Sequence, residues 1–338
     1  MQHISLYHDG IPSFLTDCAA TPCVQRLRGV GMNCGCEYTS FPRFSGLKPY
    51  SRCDHSLGVA MIVWHFTHDE KQAIAGLLHD VATPVFAHVV DFLNGDYLTQ
   101  ESTEDGTAAI IAQSEPLQAA LRAQGLMTDD VSDYHRYPIA DNDSPRLSAD
   151  RLEYTLGNCL NYRIRTKEQV RAYYDDLTVG VGEDGQPELA FRTVKIAEDF
   201  TAAALVCSEI YVSDEDRYSM QMLSELLRFA TERGVLRRED LFSDEPTVIR
   251  LLLSDQLTAA RWNAFRAFRV VQTAAAPQPQ GEWRQVFAKK RCIDPLIIDR
   301  GRVSACVPAL HSAIRAFKAQ PQDRWICAAP DERFFQSK

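Results

Sequence analysis

His55, the adjacent pair His79-Asp80 and a more distant Asp150 bring two imidazoles and two carboxylates to this chain of 338 residues. Mixed nitrogen and oxygen donors of this kind suit one divalent transition metal ion, with coordination positions left open to water and substrate. The first histidine lies in Arg52-Cys53-Asp54-His55-Ser56-Leu57-Gly58-Val59, the second closes Leu77-Leu78-His79-Asp80, and Asp150 sits in Ser148-Ala149-Asp150-Arg151. An ionised Asp buried beside a His costs several kcal/mol unless something compensates it, and a bound cation is the usual compensation. Iron, manganese, nickel and zinc all accept such a donor set.

The elements that must position these groups are legible around them. His55 opens an apolar run over 57–66, and His79-Asp80 closes another over 73–78, whose length and lack of turn residues predict a mostly buried helix. Thr67-His68-Asp69-Glu70 separates the two with cap residues and early acids, so His65 and His68 read as helix-end residues. Taken alone, His-Asp could end a surface helix with both groups solvated. Arg52 and His55 before it and Pro84 after it favour a site at an element boundary instead. Ser148 reads as the N-cap of a helix on which Asp150, Tyr154 and Asn158 share one face at i, i+4 and i+8. Arg52, one turn before His55, could clamp a phosphate oxygen or pair with Asp54 or another carboxylate.

The order Arg-x-x-His-Ser-Leu-Gly-Val, Leu-Leu-His-Asp, Asp-Arg-Leu-Glu-Tyr resembles the HD-domain metal-dependent phosphohydrolases. Within them it is most similar to the deoxynucleoside triphosphate triphosphohydrolase-like branch. The resemblance runs from Gln25-Arg26-Leu27-Arg28 through Tyr154, and more faintly to Asp294-Pro295. It implies a metal held by His55, His79, Asp80 and Asp150, and hydrolysis of a small phosphorylated substrate of the nucleotide class by a metal-activated water. It further implies phosphate contacts from Arg52, with Arg151, Tyr154 and Arg217 in support, and a homo-oligomer. Two departures stand out. Thr83 occupies the position of a catalytic histidine, or of a glutamate in other HD nucleotidases, and a hydroxyl does not transfer protons as either does at neutral pH. Gln100-Glu101 stands where the branch has His-Glu. His88, Asp91 and Glu101 match family positions and are the expected proton-transfer groups. A catalytically degenerate, metal- and nucleotide-binding regulatory protein is the alternative.

Composition sets wider bounds. Hydrophobic residues make up 45% and charged residues 24%, as in soluble globular proteins. A formal net charge of -9 argues against general nucleic-acid binding, so an anionic substrate needs specific arginines. The longest apolar run, 58–66, is too short to span a bilayer, which argues against a membrane partner. The first residues lack a basic region followed by an apolar one, and the ten cysteines are irregularly spaced, so reduced thiols in a cytoplasmic protein are expected. Cys18, Cys23, Cys34 and Cys36 lack the paired short hooks of a structural zinc site.

The expected fold is all-α in the main: a single HD-type unit over 1–338, with a metal-site core over about 25–160 and a C-terminal helical region over about 195–338. Thr21-Pro22 signals a helix start, 37–50 a loop, 104–125 a helix interrupted at Pro116, and 128–146 a polar surface loop. One β-hairpin is expected over 177–192, around Glu183-Asp184-Gly185, as a peripheral ribbon. Helices are expected over 197–213, 218–232, 247–254 and 257–273, followed by a basic cluster at Lys289-Lys290-Arg291.

Overall fold

The computed structural model describes residues 4–6, 8–90 and 106–335. Two helices form its centre: α1, Arg52–Thr67, and α2, Glu70–Leu78. A capping box starts α1, with the Ser51 hydroxyl accepting from the Asp54 N–H and the Asp54 carboxylate accepting from the Ser51 N–H. It ends at His68 in the left-handed region (φ 51°), and Asp69 caps α2 by accepting from the Gln72 N–H. Apart from Asp54, every residue from Arg52 to Val63 is buried, so this helix is enclosed on all sides rather than amphipathic. Ile62, Ile74 and Leu77 are fully buried, and each contributes about 1.5–3 kcal/mol of apolar burial.

Helix α3, Ala149–Asn161, packs on α1 and is capped by the Ser148 hydroxyl, which accepts from the Arg151 N–H at 3.3 Å. Next come α4, Val194–Ile210, and α5, Asp214–Glu232; α4 packs on α3, while α5 lies in a second apolar cluster with Phe86 and Trp262. Thr21 and Pro22 start the helix Pro22–Gln25, and Pro116 sits in the first turn of Glu115–Ala123, directly after Thr107–Gln113, as anticipated.

Three expectations need correction. Seven strands are present among the described residues: β1 Leu177–Val181, β2 Pro187–Phe191, β3 Val270–Ala274, β4 Arg284–Gln285, β5 Leu296–Ile297, β6 Gly301–Arg302 and β7 Trp325–Ala329. The hairpin β1–β2 has the expected place, pairing Leu177 with Phe191 and Val181 with Pro187, but it is no isolated ribbon. Its second strand pairs in parallel with β5, giving a sheet of order β1-β2-β5-β6, and Arg302 of β6 donates to both Glu183 and Glu188 of the hairpin.

The expected helix over 257–273 stops at Arg266. Val270 to Ala274 pair instead with β7 from the far end of the chain, in a sheet of order β3-β7-β4. That pairing joins residues some fifty positions apart and overrides a local helical period. The 128–146 segment is not a free surface loop either. Thr128–Val131 is helical, Tyr134–Arg136 is a 3-10 turn, and Val131, Tyr134, Ile139 and Ala140 are buried.

Candidate metal centre

His55 stands in the first turn of α1, and α2 delivers its C-cap, His79, with Asp80 immediately beyond. Their donor atoms all lie within 4.8 Å of one another, and all three residues are buried. His79 Nε2 lies 3.4 Å from Asp80 Oδ2, and His55 Nε2 lies 3.9 Å from the same oxygen. Asp150, in the first turn of α3, completes the ring: its Oδ1 is 3.0 Å from His55 Nε2 and 4.0 Å from His79 Nε2. Four residues on or beside three helices, separated by up to 95 positions, are thus brought together.

The imidazoles are held from behind. His79 Nδ1 is 2.7 Å from the Gly76 carbonyl oxygen, and His55 Nδ1 is bonded to Glu153. Both Nε2 atoms are left facing the carboxylates. Burial alone would raise the Asp80 carboxyl, but Arg52, His79 and His55 outweigh it and hold it far below the usual carboxylate range. Asp150 is likewise held low against burial by the hydrogen bond and charge of His55. Burial disfavours a charged His55, yet Glu153 and Asp150 push it up to about 10. Three carboxylates converging on two imidazoles carry a surplus of negative charge, which a divalent cation offsets. The donor set therefore fits a metal ion.

Arg52 takes the carboxylate option. It is buried, and its Nη1 donates to both oxygens of Asp80 at 3.1 and 3.0 Å, while Nε has no partner among the described residues. Thr83 Oγ1 donates to Asp80 Oδ1 at 2.5 Å. Arg26, in the 3-10 turn Arg26–Gly29, donates to the carbonyls of Val81, Thr83 and Ser243, and so pins the segment that follows His79-Asp80.

Other predicted contacts are placed differently. Arg151 turns away from Asp150 to the 141–146 segment, donating to the Arg146 carbonyl and to Asn142 and pairing with Asp141 at 3.2 Å. Arg217 is buried, with its donors directed to the carbonyls of Val212, Val286 and Gln322 and to Asp214. These bonds engage both arginines within the protein. Tyr154 keeps its place one turn beyond Asp150, half-buried, with its ring 6.2 Å from that of Tyr211. His88 is half-buried beyond a turn in which Phe86 and Ala87 both have positive φ. Asp91, Gln100 and Glu101 lie outside the described residues. Lys290 donates to the Lys318 and Gln320 carbonyls.

Sequence reasoning missed three residues. Glu153, one turn after Asp150, and Tyr50, whose hydroxyl donates to Glu153 at 2.5 Å, stand behind His55. The signal for Glu153 was its i+3 spacing from Asp150 in Asp-Arg-Leu-Glu-Tyr. Tyr134 lies against the His79 ring, with centroids 4.9 Å apart and planes 35° apart, and nothing local marked it.

No family model matches the chain. An uncharacterized protein of Bacillus subtilis is 26% identical over 231 residues, covering 68% of this chain and 67% of its own length. A metal-dependent phosphohydrolase of Cordyceps militaris is 23% identical over 287 residues, covering 82% and 78%. Among solved structures, a phosphohydrolase from Bacteroides thetaiotaomicron superposes with a TM-score of 0.64 at 15% identity, over 95% of this chain and 97% of that one. The fold is one that phosphohydrolases use. A hypothetical protein from Aquifex aeolicus shares it, with a TM-score of 0.66 at 16% identity over 96% and 95% of the two chains. The chain thus resembles a metal-dependent phosphohydrolase in sequence and a phosphohydrolase in fold, and it carries a buried His-Asp cluster.

Proposed function

We propose that this chain is a metal-dependent phosphohydrolase acting on a small phosphate ester or anhydride of the nucleotide class. The observation that carries the proposal is the convergence of His55, His79, Asp80 and Asp150, with both Nε2 atoms turned inward and Arg52 beside them. Those four residues would hold one divalent ion of iron, manganese, nickel or zinc. When bound, such an ion supplies Lewis acidity toward a phosphoryl oxygen and toward water.

The chain's own groups divide the remaining work. Arg52 is fixed by Asp80 through Nη1, and its Nε, unpartnered among the described residues, is a buried donor for a phosphoryl oxygen. Tyr154 is pushed up to about 12 by burial and by the charge of Asp150, so its phenol stays protonated at neutral pH and can donate beside the phosphate. Thr83 spends its hydroxyl on Asp80, which leaves proton transfer to His88, Asp91 or Glu101. The regulatory alternative rests on Thr83 and Gln100 alone, and nothing further favours it.

The test is phosphate release by the purified chain with added Mn2+, against nucleoside mono- and triphosphates and sugar phosphates. Turnover of a nucleotide, lost on chelation, is the expected result. A metal-loaded chain inert toward every phosphate in the panel would overturn the assignment.

A further inference from the structure

We infer that Glu153 is the positioning residue of this centre, fixing which nitrogen of His55 faces the metal, with Tyr50 holding the Glu153 carboxylate in register. The inference deepens the proposed function and rests on its reading of His55 as a ligand. Glu153 has 0% exposure, and its Oε2 takes the Tyr50 hydroxyl at 2.5 Å and the His55 Nδ1 position together. Glu153 occupies Nδ1, so Nε2 is the nitrogen that faces Asp150, His79 and Asp80 and the one a metal would take on displacing its proton. One turn of α3 thus supplies both sides of the same ring: Asp150 lies against Nε2 at 3.0 Å and Glu153 against Nδ1.

The surrounding backbone makes room for this carboxylate. A Cβ at Gly58 would come within 2.5 Å of Glu153 Oε1, and a Cβ at Gly157 within 2.7 Å of the Tyr50 hydroxyl oxygen. A carboxylate this deep is a poor packing group, because burying its charge costs more than an apolar side chain of similar volume would. A role at His55 accounts for it. His79 is backed differently, by the neutral Gly76 carbonyl at 2.7 Å, so the two imidazoles are held unequally.

The experiment is equilibrium dialysis of the full chain against Mn2+, with elemental analysis of bound metal and thermal melts of the metal-free protein. Glu153→Gln keeps the volume and removes the charge, and should weaken Mn2+ binding about 10–100-fold. In a His55→Gln background the same change should cost little more, since the ring it positions is gone. A general structural role would give the same penalty in both backgrounds. Tyr50→Phe and Gly58→Ala probe the carboxylate without altering it; each should weaken binding by a smaller factor, and they decide the matter if Glu153→Gln does not fold. Wild-type affinity in the variants that fold, or full additivity with His55→Gln, would overturn the inference while leaving the phosphohydrolase reading intact. A wild-type chain that binds no ion overturns both.

Discussion

Arg52 and Asp80 form a buried pair in which a single guanidinium nitrogen, Nη1, lies 3.1 and 3.0 Å from the two carboxylate oxygens. Burial works against the charge of each. Asp80 more than restores that of Arg52, and Arg52 leads the groups that restore Asp80. The pair fixes a candidate metal ligand, and Nε is left without a partner among the described residues.

Removing one member should be costly. Arg52→Ala leaves Asp80 buried without its cation, and breaking such a pair costs about 3–5 kcal/mol. Urea denaturation of the metal-free variant should show a loss of that order. A loss under roughly 1 kcal/mol would rank the pair with exposed surface bridges.

Thr83 should act through Asp80. Thr83→Val keeps the shape in a buried position but removes the hydroxyl that donates to Oδ1, so metal affinity should fall about 10-fold. Thr83→Ser should stay near wild type. A competitive titration against a chromogenic chelator reads both, and equal affinities in the two variants would show that the hydroxyl has no such role.

The pattern of these interactions explains what could be read in advance. The four predicted metal-binding residues were legible because each sits at a helix end, where cap residues and the onset of an apolar run mark the position. Glu153 and Tyr134 were not, because their significance lies in which ring they touch, and that depends on how α3 and the 128–146 segment pack against α1 and α2. Arg217 illustrates the converse. Its position suggested a phosphate contact, while its backbone-carbonyl partners come from 212, 286 and 322. The hairpin was visible from its turn, but β3 and β7 were hidden because neither strand makes sense without the other.

Two acids near the Cys34–Tyr38 segment set a pH trend. Burial and Glu245 push Glu37 up to about 8, and burial, with Glu215 adding to it, pushes Asp216 up to about 8. The folded state therefore holds protons that the unfolded chain has released above about pH 4. Stability is lost as pH rises from there through 8. His55, pushed up to about 10, adds in the same sense between about pH 6.5 and 10. Asp80 and Asp150, held low, act only as pH falls below the ordinary carboxylate range. Calorimetric melts of the metal-free protein should show a falling melting temperature from pH 5 to 9, and Glu37→Gln should flatten it. A rising melting temperature over that range would contradict the burial of these acids.

The central claim is that His55, His79, Asp80 and Asp150 hold one metal ion. Elemental analysis of the purified chain beside His79→Ala and Asp80→Ala tests it most directly. About one equivalent of a transition metal in the wild type is expected, falling to background in both variants. Undiminished metal in Asp80→Ala, or none in the wild type, would contradict it.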